Sequence, residues 1–422
     1  MRQFPAYRDL VCERNNVPRE FHILSRRIKY YDNLDSMKCV LILLICFTSF
    51  IVEAQPALQN NFSLTVSPLI DSTDKINRLI IKSVAAFLST KNTSVIDNKY
   101  WLPADYEKYM YPYLDIYNIE DSKFGKRFYQ PTLMEIIPTG AHLRKIIKIA
   151  FIGHNQSSNE NQLKVIYNII ANVIGDEIQF SRYLDHGTQT WANINRKSVT
   201  YKIPVNRKIN EKQVRQQLQD IETICRFFSC EPIPVTYYSC ANVKQVFEIK
   251  GFDYHPMMYS NVTGGLADFG NIIFSGNNAE IYTHEVVHIY TKKLFPQINS
   301  FIDEGLATYI AGSGKFDYAW HRIQFEKFLT QNNTYDPAEH MDPYESIYYN
   351  KETSAPYVAA ALILERTMRV FGKAKLIALL QSRSELWETL KTVGLTKENL
   401  NTELRRESKL PVTLLWKSRR SQ

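Results

Sequence analysis

Residues 282–309 read YTHEVVHIYTKKLFPQINSFIDEGLATY, and the organisation of the chain is read outward from them. His284 and His288 stand four residues apart with Glu285 between them, and an acidic pair, Asp303 and Glu304, follows one short loop later. On a helix, residues i and i+4 project from one face, so both imidazoles reach a common point where a single metal ion can sit. Downstream, FIDEGLATYI reads as a second helix, with Phe301, Leu306, Tyr309 and Ile310 as its apolar face and Gly312 and Gly314 beyond its end. Glu304 lies near the start of that helix, where it can swing onto the same ion.

Two histidines and one carboxylate, with a fourth position left open for water, is how a catalytic zinc site is built. Glu285, next to the first histidine, then faces the water as a general base. The competing account is an ordinary polar helix face, and a five-residue pattern of this kind arises by chance in roughly one chain of this length per hundred. Neighbours on a helix point about 100° apart, so Asp303 and Glu304 do not both reach one ion. Asp303 has two readings: a partner that fixes the tautomer of a ligand histidine, or an acid favoured by the helix dipole.

HEVVH followed by DEGLATY resembles the gluzincin metallopeptidases, in which HExxH on one helix is completed by a glutamate from the next. The DEGLA form and the spacing look most like the secreted bacterial peptidases called MA-like. The resemblance covers about the last half of the chain, and its specific motif runs from His284 to Glu304. It implies an exported zinc peptidase acting on a peptide or protein substrate, with His284, His288 and Glu304 as ligands and Glu285 as base. It also implies a downstream tyrosine or histidine that stabilises the oxyanion, for which Tyr348, Tyr349, Tyr357 and His340 are the candidates. Tyr349 is favoured, because YYNKETSAPYVAAALILERTMRVFG resembles the tyrosine-plus-helix segment of MA-like peptidases. In gluzincins the strand before the metal helix pairs with substrate, and by position Asn271 to Phe274 looks like that strand. The glycine-methionine-glutamate motif of related aminopeptidases is missing upstream of His284, which favours internal cleavage. The rival is a catalytically silent module that keeps the metal for binding or sensing.

The chain has 422 residues, 45% of them apolar, which suits more than one globular unit. Its formal charge of +8 draws on the first 36 residues and the tail Lys417 to Arg420, and is not read as a nucleic-acid footprint. Residues 37–54, MKCVLILLICFTSFIVEA, have the layout of a secretory signal with a cut after Ala54. Residues 1–36 then read as an over-extended reading frame. The alternative is a signal anchor, in which residues 39–52 stay in the membrane behind Arg26, Arg27, Lys29 and Lys38. Beyond this region stand Cys225, Cys230 and Cys240; Cys225 falls on an apolar helix stripe, and Cys230 with Cys240 is the first pair to test for a disulfide.

From Asp74 to Ser89 apolar residues recur at helix spacing, and β-branched runs follow at 145–151, 163–175, 178–183 and 198–203. That order predicts an α+β fold whose first unit, 74–204, faintly resembles the cone-shaped domains of the nuclear-transport-factor-like superfamily. Pro204 marks the expected boundary. The second unit, 205–415, is expected to be a mainly helical zincin-like domain with a small sheet, its active-site helix starting near Asn278. Asn210 with Gln213 reads as a capping box for a helix to Phe228, and further helices are expected at 318–329, 356–371, 373–381, 385–391 and 397–407.

Overall fold

A computed structural model describes residues 62–415, apart from positions 142 and 262. The readings placed on 1–36, on the signal segment 37–54 and on the basic tail lie outside the described residues. The fold is α+β. No helix among the described residues is long and apolar enough to cross a membrane.

The first half begins with the short strand β1 (Thr65–Val66) and helix α1 (Lys75–Thr90). The Asp74 carboxylate accepts from the Asn77 N–H at 2.8 Å and caps α1, whose Ile80, Val84 and Phe87 are buried. Trp101 to Tyr117, ambiguous in the sequence, forms α2 (Pro103–Tyr109) and a single 3₁₀ turn at Leu114–Ile116. Then come β2 (Tyr129–Pro138), β3 (Arg144–Asn155), β4 (Glu160–Ile174) and β5 (Glu177–Arg182), an antiparallel meander to which β1 adds in parallel. Helix α1 covers this sheet, packing against Leu133, Ile147 and Ile149 in one core.

After a single helical turn, α3 (Leu184–Gly187), the hairpin of β6 (Ala192–Arg196) and β7 (Val199–Ile203) starts a second sheet. Helix α4 (Glu211–Phe228) crosses over to β8 (Val235–Ser239), parallel to β7. Next come α5 (Val243–Lys250), β9 (Phe252–Tyr254), β10 (Gly265–Asp268) and β11 (Ile272–Ser275). The second sheet runs β10-β11-β8-β7-β6, whereas β9 pairs with β4 in the first. The expected boundary at Pro204 is therefore corrected: both sides of it belong to the second sheet, and a strand from residues past 250 completes the first. The expected substrate strand is corrected too. The stretch 271–274 lies inside the sheet between β8 and β10, and β10 is the edge.

Helix α6 (Thr283–Leu294) carries HEVVH. It begins at Thr283 rather than near Asn278, which takes a left-handed φ of 52° and donates its N–H to the Cys240 carbonyl. The start of α6 has no capping side chain of its own. Helix α4 supplies the groups instead, through Gln213, Gln217 and Asp220 at i, i+4 and i+7 on one face. Gln213 accepts from the Glu280 N–H at 2.9 Å, Gln217 from the Tyr282 N–H at 2.7 Å, and the Thr283 hydroxyl donates to Asp220. These bonds reach the N–H groups of Glu280 and Tyr282 and the Thr283 hydroxyl, so this neighbouring helix holds the segment that leads into α6.

Helices α7 (Ser300–Ala311) and α8 (Tyr318–Gln331), the small hairpin β12 (Tyr348–Tyr349) and β13 (Thr353–Ser354), and helices α9 (Ala355–Leu380), α10 (Leu386–Lys391) and α11 (Leu400–Glu407) complete the chain. Gly372, at φ 76°, breaks α9 into two segments where the sequence suggested a stop. Helix α7 lies so close to α9 that a Cβ at Gly305 would meet the Ala360 Cβ at 2.5 Å. Neither backbone can yield without moving a buried helix, so Gly305→Ala is expected to cost about 1–3 kcal/mol. Urea unfolding of the purified variant checks this; an unchanged midpoint would contradict the close approach.

Candidate metal centre

The site joins two helices. His284 and His288, one turn apart on α6, face Glu304 on the first turns of α7, and all three are buried. The ligand atoms these residues offer lie within 4.8 Å of one another. His284 Nε2 stands 3.3 Å, and His288 Nε2 3.6 Å, from Glu304 Oε2.

The outer ring nitrogens decide what the inner ones present. His284 Nδ1 lies 2.8 Å from the Gly312 carbonyl, which can only accept, so Nδ1 carries the proton. His288 Nδ1 donates to Asp303 Oδ2 at 3.0 Å, and the other oxygen of Asp303 accepts from the Thr291 hydroxyl at 2.6 Å. In its neutral form each imidazole then turns an Nε2 lone pair toward the Glu304 carboxylate. Three acceptor atoms facing one another in a buried place repel unless a proton or a metal cation lies between them. Two donors each about 2.0–2.1 Å from a tetrahedral zinc stand about 3.3–3.4 Å apart, close to the spacings here. The donor set and its spacing therefore fit a metal ion.

Glu285 Oε2 accepts the Ala267 N–H of β10 at 2.7 Å. The Ala267 carbonyl accepts from Lys292 Nζ at 3.2 Å, so both backbone groups of this residue are directed out of the ladder. The next residue of the edge strand, Asp268, is held by buried cations. Arg182 Nη2 approaches it to 2.7 Å and Lys250 Nζ to 3.4 Å, and both cations also meet Asp115, at 3.4 and 3.1 Å. Burial alone would raise the Asp268 carboxyl, but Lys250 and Arg182 outweigh it and hold it well below the usual range. Asp115 and Arg182 belong to the first half of the chain, so the first half anchors the edge strand beside Glu285.

The structure brings together His284, Glu285, His288, Asp303 and Glu304. Tyr349 lies on β12, half-buried, with its ring against Phe328 at 6.0 Å. Tyr357, in the first turn of α9, is buried and lies nearly parallel to the His284 ring, with centroids 6.3 Å apart. His340 pairs with Glu345 and stacks on Tyr335.

Two supports have no signature in the motif. Gly312, at φ 74°, ends α7 and aims its carbonyl at His284; a Cβ there would lie 2.1 Å from the Phe316 carbonyl oxygen. His321 on α8 holds the loop beyond it, with Nε2 2.7 Å from the Ser313 carbonyl and Nδ1 3.0 Å from the Thr353 hydroxyl. Burial lowers the His321 pKa below its ordinary value, against the opposing effect of the Ser313 carbonyl. Glycine after a helix end signals a turn, and nothing in the spacing of His321 signals its partner.

Cys225, Cys230 and Cys240 are free thiols. Cys240 is buried beneath the sheet with Tyr238 and Phe274, while Cys230 packs against the core that holds Cys225, so Cys230 and Cys240 do not form the expected pair.

No protein-family model matches the chain, and no curated protein matches it.

Removing the Asp303 carboxylate charge frees the His288 ring to turn. Asp303→Asn is expected to weaken metal affinity about 10–100-fold. Competition with a chromophoric chelator measures it, and an unaltered affinity would remove Asp303 from the support of the site.

Proposed function

We propose that this chain is an exported zinc-dependent peptidase that cleaves within peptide chains. The observation that carries the reading is the convergence of two Nδ1-protonated imidazoles and the Glu304 carboxylate, with a further carboxylate, Glu285, tied to the adjoining edge strand. When bound, zinc supplies Lewis acidity, which polarises a carbonyl and lowers the pKa of water from 15.7 to about 7. His284, His288 and Glu304 would hold it, with Asp303 and Gly312 fixing the two rings. Glu285 takes the proton of the attacking water and returns it to the leaving amine. The Ala267 N–H fixes the orientation of that carboxylate.

For the oxyanion we assign Tyr357 rather than Tyr349, because its ring lies against His284 while Tyr349 packs on Phe328. The mixed sheet with an antiparallel edge strand ahead of α6 supports the zincin-like reading of the second half. The helix-covered meander supports the nuclear-transport-factor-like reading of the first. Export rests on the segment 37–54, with anchoring by residues 39–52 as the alternative.

Glu285→Gln is expected to lower turnover of a cleaved peptide about 10²–10⁴-fold with zinc still bound, whereas Glu304→Gln loses the metal itself. Peptide cleavage and metal analysis on the same preparations separate the two effects. Wild-type protein that carries zinc and cleaves no member of a diverse peptide library would point to the silent binding module. Zinc also joins α6 to α7, so its removal by a chelator is expected to lower stability by about 3 kcal/mol where free zinc stood at a hundred times its dissociation constant. Thermal unfolding with and without chelator reads this, and identical curves would mean that no ion bridges the helices.

A further inference from the structure

A cavity of about 950 Å³ lies where the two halves of the chain meet. One wall comes from the first half, with Met110, Tyr111 and Leu114 beyond the end of α2. Phe269, just past the edge strand, and Ile289 and Lys292 on α6 line it as well. Its position relative to the metal centre is set by two elements. On α6, Glu285, Ile289 and Lys292 stand at i, i+4 and i+7, one face of the helix, so the cavity opens about one turn, 5.4 Å, beyond Glu285. On β10, Ala267 binds Glu285, and the next two residues, Asp268 and Phe269, already line the cavity. Lys292 stands at the junction, donating to the Ala267 carbonyl and lying 4.9 Å over the Phe269 ring.

An extended peptide advances about 3.4 Å per residue. One that runs along α6 toward Lys292 with its scissile bond at Glu285 reaches the cavity within two or three residues. The lining is dominated by aromatic and aliphatic side chains, and Tyr111 and Phe269 meet edge to face at 4.5 Å. A volume of this size takes more than one large side chain.

We infer that this cavity receives bulky apolar side chains of the substrate a few residues from the cleaved bond, making the first half of the chain a determinant of specificity. The inference rests on the peptidase reading and deepens it: the substrates are extended segments with aromatic or large aliphatic residues at that distance. Lys108 and Lys292, which also line the cavity, are engaged by Asp185 and by the Ala267 carbonyl, and Lys293 is exposed, so an acidic side chain that gives up its hydration beside Tyr111, Leu114 and Phe269 is taken up less well than an apolar one.

Photo-crosslinking tests this on the full-length, zinc-loaded Glu285→Gln protein. The probe is a decapeptide carrying benzoylphenylalanine three residues from the bond that the wild type cleaves, or from its central bond if none is cleaved. Labelling is expected at 107–117 or 230–234, two segments that line the cavity. An excess of the phenylalanine peptide is expected to suppress it, and the aspartate counterpart is expected to compete about tenfold less well or worse. Met110 is half exposed, so Met110→Glu puts a charge at the rim without opening the core; it is expected to cut labelling by about tenfold with thermal unfolding unchanged. Labelling outside these segments, equal competition by the aspartate peptide, or competition by a fatty acid but not by the phenylalanine peptide overturns the inference. Cavity labelling without cleavage by the wild type upholds the pocket and sinks the peptidase reading. Cleavage with labelling elsewhere does the reverse.

Discussion

Two lone pairs and a carboxylate aimed at one buried point form the constraint from which the rest of the second half follows. Such a cluster is unfavourable in a low-dielectric interior until a cation joins it, so the surrounding structure must hold it in place against its own repulsion. Each support acts on a different degree of freedom. The polar face of α4 holds the segment that leads into α6 and hence the height of the imidazoles. Gly312 and Asp303 set the rotation of the two rings. Gly305, by letting α7 sink against Ala360, sets how far Glu304 reaches. Loss of any of them leaves the ligands present but misplaced, and sites of this kind tolerate only small errors.

The edge strand is held to the same standard by other means. Arg182 and Lys250 share Asp115 and Asp268, four buried charges that balance in sum and lie 2.7–3.4 Å apart. A buried quartet contributes little net stability compared with apolar packing, but breaking it by removing one member is costly, so it defines a register. Here the register is that of β10 against the first half of the chain, and Ala267 passes it directly to Glu285.

What the sequence made legible was local. The amphipathic spacing of α1 and α4, the cap Asn210, and the one-turn separation of His284 and His288 depend on neighbours in the chain, and the structure has all of them close to where the pattern put them. Elements decided at long range were not legible. Strand β2, reading YQPTLMEIIP, carries a proline and lacks clean alternation, and β10, reading GLAD, is built of residues that strands usually avoid. The edge role passed from 271–274 to 265–268 because strand order is set by crossovers, which leave no trace in a four-residue window. The backbone groups that orient His284 and Glu285 belong to Gly312 and Ala267, and no side chain advertises them. Among 26 tyrosines, only the fold could bring Tyr357 rather than Tyr349 against His284.

The exchange of β9 between the sheets has a consequence for how the protein is made. Emerging from the ribosome, β1 to β5 must wait for Phe252–Tyr254 before β4 gains its last partner, and by then β6, β7 and β8 have already been synthesised. Vectorial synthesis, which ordinarily lets the leading unit finish before the next begins, gives this chain an interval in which the edge of β4 at Ile166 and Tyr167 stays unpaired. The two halves therefore mature together, and the cleft between them comes into being only when both have closed.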